Sequence, residues 1–219
     1  EPMQLGAFLM LMRVKEETAE EIAGFVHAAR TTISLPADFP KVDLDWPAYA
    51  GKRRHLPWSL LTALLLANHG YKVLMHGVNG GSAGRLYFPD ALDRMGIVIA
   101  ASPKDAAANI LRNNFSFIPL ETLSPDFDAL LKLKAVLGLR SPMHTVARML
   151  NPARASASLI GIFHPGYDDT HQHAAMLLND PNTAIFKGEG GEAERNPDTP
   201  CSVKLWLDGS MLQETWPAC

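Results

Sequence analysis

The chain has 219 residues, 47% hydrophobic and 20% charged, with 20 Lys and Arg against 23 Asp and Glu for a formal net charge of −3. That balance fits an ordinary globular chain of one or two domains with a substantial core. It excludes a uniformly basic nucleic-acid binder and an acidic disordered chain, and the 16 Gly and 16 Pro fall into no repeat that would indicate a solenoid or fibre.

Residues 3–14 are apolar with a helical period. Thr18-Ala19-Glu20-Glu21 is a capping box, and Ile22, Phe25 and Val26 follow at helix spacing up to Arg30. Two antiparallel helices joined at residues 15–17 are expected, their Met and Phe side chains serving as core. No basic, apolar, small-residue leader precedes them, so a signal peptide is not expected, and no stretch has the length of a membrane span. Two cysteines, Cys201 and Cys219, are too few for a disulfide framework or a structural zinc site and suit a reducing cytoplasm.

Residues 33–57 contain Pro36, Pro40, Pro47 and Pro57 and read as connection rather than element. A helix over 58–69 leads through Gly70 into a short buried strand at 73–75. A helix at 90–95 and a second strand at 97–101 come next. Ser102-Pro103-Lys104-Asp105 reads as an N-cap with Pro at the first helical position, opening a helix to Asn113 ahead of a third strand at 115–120. Ser124-Pro125-Asp126 opens another helix, ended by Gly138. A helix at 143–150, a strand at 158–163, a helix at 170–179 and a strand at 183–186 complete the series. Apolar strands alternating with helices predict an α/β domain with a mostly parallel sheet covered on both faces. The organisation expected is a helical region over 1–32, a connection over 33–57 and the α/β domain over 58–219.

Ligands of α/β folds sit at loops after parallel strands. One such loop is His76-Gly77-Val78-Asn79-Gly80-Gly81-Ser82, whose glycines would let the backbone approach an anion. The others are Lys187-Gly188-Glu189-Gly190-Gly191-Glu192 and His164-Pro165-Gly166-Tyr167-Asp168-Asp169; for each, an ordinary solvated turn is the competing reading. His171 and His173 lie two apart and face different directions on a helix, and His164 with Asp168 or Asp169 reads as surface capping, so no metal site built from protein ligands alone is expected. No Ser/His/Asp or Cys/His arrangement marks a catalytic residue.

The charge is segregated. Residues 46–89 contain no acid but carry Lys52, Arg53, Arg54, Lys72 and Arg85, and residues 129–167 contain none but carry Lys132, Lys134, Arg140, Arg148 and Arg154. Those windows hold ten cations, which leaves −13 for the rest of the chain. Either acids are merely scarce in core-rich segments, or two separated segments build one polyanion site. The run Lys52-Arg53-Arg54-His55 precedes the helix at Trp58, whose free N–H groups favour anions; a solvated charged loop is the competing reading, and Tyr49 and Trp58 could stack on bases, Trp58 being as readily buried.

Gly6-Ala7-Phe8-Leu9-Met10-Leu11-Met12-Arg13-Val14-Lys15 with Glu17-Thr18-Ala19-Glu20-Glu21-Ile22-Ala23-Gly24 resembles the helical domain of anthranilate phosphoribosyltransferases. Gly70-Tyr71-Lys72-Val73 leading into His76-Gly77 is similar too, as is Leu137-Gly138-Leu139-Arg140 followed by Leu150-Asn151-Pro152. The resemblance implies a nucleoside phosphorylase/phosphoribosyltransferase class II-like fold with a helical dimerisation domain. Family chains are longer, so this one would lack the first helices and a C-terminal portion. The family's Gly-Thr-Gly-Gly-Asp pyrophosphate loop falls on Pro47-Ala48-Tyr49-Ala50-Gly51, its Asn-x-Ser-Thr motif keeps only Ser59, and its Lys-His-Gly-Asn motif has become Met75-His76-Gly77-Val78. The metal-binding Asp-Glu pair falls on Ala193-Glu194, and the Arg for the aromatic acid falls on Lys134. With its motifs degenerate together, the chain resembles the YbiB-type branch, proteins of similar fold that bind nucleic acids as dimers.

Three readings follow. The first is a non-sequence-specific nucleic-acid binder on a phosphoribosyltransferase-like scaffold, without cofactor or catalytic residues, acting as a cytoplasmic homodimer on single-stranded DNA or RNA and not on membranes. Lys52, Arg53, Arg54, Arg85, Lys132, Lys134, Arg140, Arg148 and Arg154 would meet phosphates. The second is a transferase using phosphoribosyl pyrophosphate, with His76, Gly77, Asn79, Gly80, Gly81 and Ser82 on the donor and Glu194 on Mg²⁺. The third is a ligand-binding or scaffolding relic of the fold.

Overall fold

The computed structural model describes residues 1–164 and 166–219. Helices α1 (Pro2–Lys15) and α2 (Ala19–Thr31) open the chain. The Thr18 hydroxyl accepts from Glu21 N at 3.3 Å, while the Glu21 carboxylate accepts from Thr18 N at 3.0 Å, so the expected capping box starts α2. Arg30 fixes this pair to the rest of the chain. Its guanidinium donates to Leu150 O at 2.6 Å and Met149 O at 2.9 Å and meets Asp180 at 2.8 Å.

The sheet holds seven strands in the order β3-β2-β1-β4-β5-β6-β7. They are β1 (Leu44–Ala48), β2 (Val73–Gly77), β3 (Phe115–Pro119), β4 (Ala157–Ile162), β5 (Asn182–Lys187), β6 (Cys201–Leu207) and β7 (Ser210–Trp216). The first five are mutually parallel and the last two antiparallel, which gives the mostly parallel α/β fold expected. Helices α3 (Trp58–Asn68), α4 (Phe88–Arg94), α5 (Pro103–Asn113), α6 (Leu120–Leu123), α7 (Pro125–Lys132), α8 (Lys134–Leu137), α9 (Met143–Arg148) and α10 (Tyr167–Leu177) connect the strands. Alternate strand residues feed opposite layers. Val73, Met75 and Phe117 pack under α3 and α4, whereas Leu74 and Ile118 pack with Ile110 of α5. Ile160, Ile162 and Ile185 join Val26 of α2, Val146 of α9 and Ala174 of α10 in a third cluster.

Four local readings differ from the structure. Of the Met and Phe side chains of α1 expected as core, Met12 is buried, whereas Met3 and Phe8 are exposed because nothing among the described residues covers that face. The stretch taken as connection contains β1, the strand between β2 and β4; its Trp46, Ala48 and Asp45 are buried, and Pro47 occupies an interior position that propensity disfavours. The strand expected at 97–101 is irregular chain that makes one backbone bond to β3, Ala100 N to Phe117 O at 2.9 Å. The hairpin β6–β7 escaped the sequence reading, although Asp208 (φ 49°) and Gly209 (φ 76°) form the two-residue positive-φ turn for which Asp-Gly is the strongest signal. No helix among the described residues is long and apolar enough to cross a membrane.

Candidate functional site

The strand order reverses between β1 and β4, and the chain leaves the carboxyl ends of β1, β2, β4 and β5 around that point. Three cavities open there: one of about 570 Å³ beside Lys187, Gly188, Glu189 and Gly190 at the end of β5, and two that adjoin each other. Of the adjoining two, one of about 230 Å³ is lined by Arg13, Arg85, Arg140, Arg148, Tyr167 and His171 among others. The second, about 480 Å³, is bordered by Tyr49, Asn79, Gly81, Ser82, Lys134 and Arg140. Arg140 and His144 line both, so the two adjoin.

The two acid-free windows meet at these cavities, Arg85 coming from the first and Lys134, Arg140 and Arg148 from the second. Among the described residues none of these four forms an ion pair. Arg85 Nη1 donates only to the carbonyls of Ala50 and Gly51, at 2.9 Å each, and Lys134 Nζ reaches the Ser82 hydroxyl at 2.7 Å. Arg148 Nε is buried without a partner among the described residues. Burial, and next the Arg140 cation, pushes Arg148 down to about 10, still charged at neutral pH. Burial and then the neighbouring cations lower Lys134 and Arg140 as well. Four cations thus stand close together without a direct ion pair, although the Glu192 carboxylate acts on Arg140 and Arg148 and partly offsets them; the excess of positive charge favours an anion.

The wall of the smaller cavity is polar and unsatisfied. Glu17 Oε2, Ser141 Oγ and His171 Nε2 are buried without partners among the described residues. Burial first of all lowers His171 to about 4 and His144 to about 3, so both are neutral at pH 7. His171 Nδ1 then donates to Tyr167 O at 2.6 Å, which leaves Nε2 as an acceptor. Such groups are normally bonded, and in a cavity open to solvent either water or a polar ligand can satisfy them. Arg13, Glu17, His144 and His171 were not singled out in the sequence as binding residues. Arg13 and His144 stood out only as polar residues in mostly apolar helical stretches, while Glu17 and His171 sit among other polar residues and carried no signal.

Other candidates take structural roles. Lys52, expected on phosphate, is 2% exposed; its Nζ lies 2.6 Å from Glu194 and 3.3 Å from Glu189, so its charge is spent inside the protein. Lys132 pairs with Asp128 at 2.6 Å and Glu121 at 3.4 Å, and Arg154 pairs with Asp180 at 2.7 Å. Arg53 and Arg54 remain exposed and without an ion pair among the described residues. His76, a donor candidate, is wholly buried between the Tyr49 hydroxyl at 2.7 Å and Asp45 at 3.1 Å. Gly77 answers to packing, because a Cβ there would run into the Ala48 carbonyl oxygen. Asn79, Gly80, Gly81 and Ser82 do border the larger cavity of the adjoining pair. Tyr49 is buried and unable to stack on a base, whereas Trp58 is half-exposed. Of the loop after β4, Pro165 lies outside the described residues.

The loop after β1 is occupied by the protein itself. The Glu192 carboxylate, 1% exposed, accepts from the backbone N–H groups of Ala50, at 2.7 Å, and Gly51. Gly188 makes this possible, since any Cβ there would strike the Glu192 carbonyl oxygen. Glu194, the candidate metal ligand, spends one oxygen on Lys52 and the other on Ser59 N at 2.9 Å, while Ala193 has no ligating side chain. The Mg²⁺ that the resemblance implies therefore does not fit: an ammonium already holds the carboxylate that would receive it. No group of three or more His, Cys, Asp and Glu suited to a metal exists among the described residues.

Comparison with known proteins agrees with this architecture. Residues 1–32 match the glycosyl transferase family helical bundle domain, and residues 53–213 match the a/b domain of that family. The anthranilate phosphoribosyltransferase of Oleidesulfovibrio alaskensis is 30% identical over 95% of this chain and 63% of its own length. That of Sulfolobus acidocaldarius is 30% identical over 96% of this chain and 61% of its own. The chain thus spans less than two thirds of the length of these relatives. Among solved structures, the anthranilate phosphoribosyltransferase of Thermus thermophilus superposes with a TM-score of 0.83 at 23% identity, over 98% of this chain and 64% of that one. The Saccharomyces cerevisiae enzyme in complex with PRPP and Mg superposes at 0.79 and 20% identity, over 97% and 60%. With both of its domains matched, the chain belongs to this glycosyl transferase family and is built on a phosphoribosyltransferase-like scaffold.

Proposed function

We propose that the chain binds single-stranded nucleic acid without sequence preference, as a homodimer and without a metal cofactor. One observation carries this reading: Arg85, Lys134, Arg140 and Arg148 converge from both acid-free windows, and none of them forms an ion pair among the described residues. Phosphodiester oxygens supply the missing counter-charge. Arg53 and Arg54 extend the basic track outward, and half-exposed Trp58, four residues beyond Arg54, offers a face for stacking. The unsatisfied polar wall suits a sugar or base edge brought in with the phosphates. The exposed apolar side chains of α1, Met3, Leu11 and Val14, support self-association.

The test is fluorescence anisotropy of a labelled single-stranded oligonucleotide at stepped salt. Affinity should fall steeply with salt, with a log–log slope of about −3 for four phosphate contacts. No binding at low salt would refute the reading. Calorimetric heat from phosphoribosyl pyrophosphate with Mg²⁺ at millimolar concentration, absent with oligonucleotide, would replace it with a transferase.

A further inference from the structure

Lys52 and Glu192 lie on segments that meet edge to edge. Lys52 is pinned at both backbone groups, its N–H and carbonyl each bonding Leu86 at 2.8 Å. Its buried ammonium sits between Glu194 at 2.6 Å and Glu189 at 3.3 Å, and the second Glu194 oxygen faces Ser59 N at the start of α3. Beside this, the Glu192 carboxylate takes both N–H groups of the Ala50–Gly51 turn, and Arg85 takes both of its carbonyls. The turn thus meets an anion on one side and a cation on the other, all supplied by the same chain.

We propose that this cage is an internal replacement for a bound metal–anion pair: the Lys52 ammonium occupies a divalent-cation position between Glu189 and Glu194, and the Glu192 carboxylate occupies the anion position on the Ala50–Gly51 turn. An ammonium has three donors with which to bridge two carboxylates, though only half the charge of a divalent cation, and two converging backbone N–H groups are the usual cradle of an oxyanion. The closure is permanent, unlike an ion that exchanges with solvent. The inference is independent of what binds at the neighbouring cavities.

Mn²⁺ titration followed by electron paramagnetic resonance, with Tm read in parallel, tests it. Wild type should leave Mn²⁺ free at about 1 mM, whereas Lys52→Met should bind it about tenfold more tightly or better, and its Tm should rise with the metal. The double variant Lys52→Met/Glu194→Gln should ignore Mn²⁺ and be more stable than Lys52→Met alone, because it removes the orphaned charge. Should Lys52→Met prove unfolded, recovery of its fold by Mn²⁺ counts in favour. Wild type binding Mn²⁺ as well as the variant does, or a double variant no more stable than Lys52→Met, would overturn the proposal.

Discussion

Lys52 and Arg140 both come from stretches without acids, yet one lies in a closed electrostatic region and the other in an open one. Around Lys52, Glu189 and Glu194 take the ammonium and Glu192 takes the adjoining backbone N–H groups, so the cation is fully engaged. Around Arg140 the neighbours are chiefly Arg85, Lys134 and Arg148, with Glu192 a partial offset and no direct ion pair, and burial of Arg140 and Arg148 reduces screening by water. The difference teaches that a cation's task is set by which carboxylates the fold returns to it. Those of Lys52 come from 137 and 142 residues downstream, across the sheet. Lys132 is neutralised by Asp128 and Glu121, just outside its window, and Arg154 by Asp180.

The contrast can be broken from either side. The largest effect should come from opening the closed region. Lys52→Met leaves Glu194 buried without its partner and should cost about 3–5 kcal/mol in denaturant unfolding; a loss below about 1 kcal/mol would mean the cage is loosely held. Acid should act next. His144 and His171 titrate at about 3 and about 4 in the folded chain against 6.5 for free imidazole, so the unfolded chain binds more protons between those values. Their stabilising contribution is complete above about pH 6.5 and drains as pH falls, by about 2 kcal/mol each at pH 5. Glu192, raised first of all by burial, works in the opposite sense, contributing stability at low pH that is lost as pH rises through its folded value. Melts at pH 7 and 5 check the sum, and His171→Phe should flatten the dependence. A smaller effect is expected at the exposed edge: Arg53→Glu with Arg54→Glu should weaken oligonucleotide binding about tenfold and leave Tm unchanged. Unaltered affinity would confine the interface to the cavities.

Much of the fold was legible because it follows local rules. The Thr18 box and the Ser102 cap start helices where the sequence placed them, the latter with Asp105 N bonded to the Ser102 hydroxyl at 3.1 Å. β1 was hidden because Pro47 and the prolines around it outweigh the apolar signal, while burial between two parallel neighbours decides the matter. For the site, the acid-free windows held the four cations that line the cavities, but the same arithmetic admitted Lys52, Lys132 and Arg154, which the fold pairs with carboxylates. Ion pairing across long sequence separations has no local signature. Glu192 illustrates the converse: a residue in a glycine-rich turn, written like any solvated loop, is buried because Gly188 lets the chain fold back over β5.

The most direct test sets the open cations against the closed ones in a single binding assay. Single-stranded oligonucleotide affinity is measured across a salt series for wild type, for Arg85→Glu with Arg140→Glu, and for Lys132→Ala with Arg154→Ala. The first pair should lose about 100-fold at low salt, and its log–log salt slope should become shallower by about 1.4. The second pair should stay within about twofold of wild type. Equal losses in the two pairs, or an unchanged slope in the first, would contradict the assignment of binding to the unpaired cations.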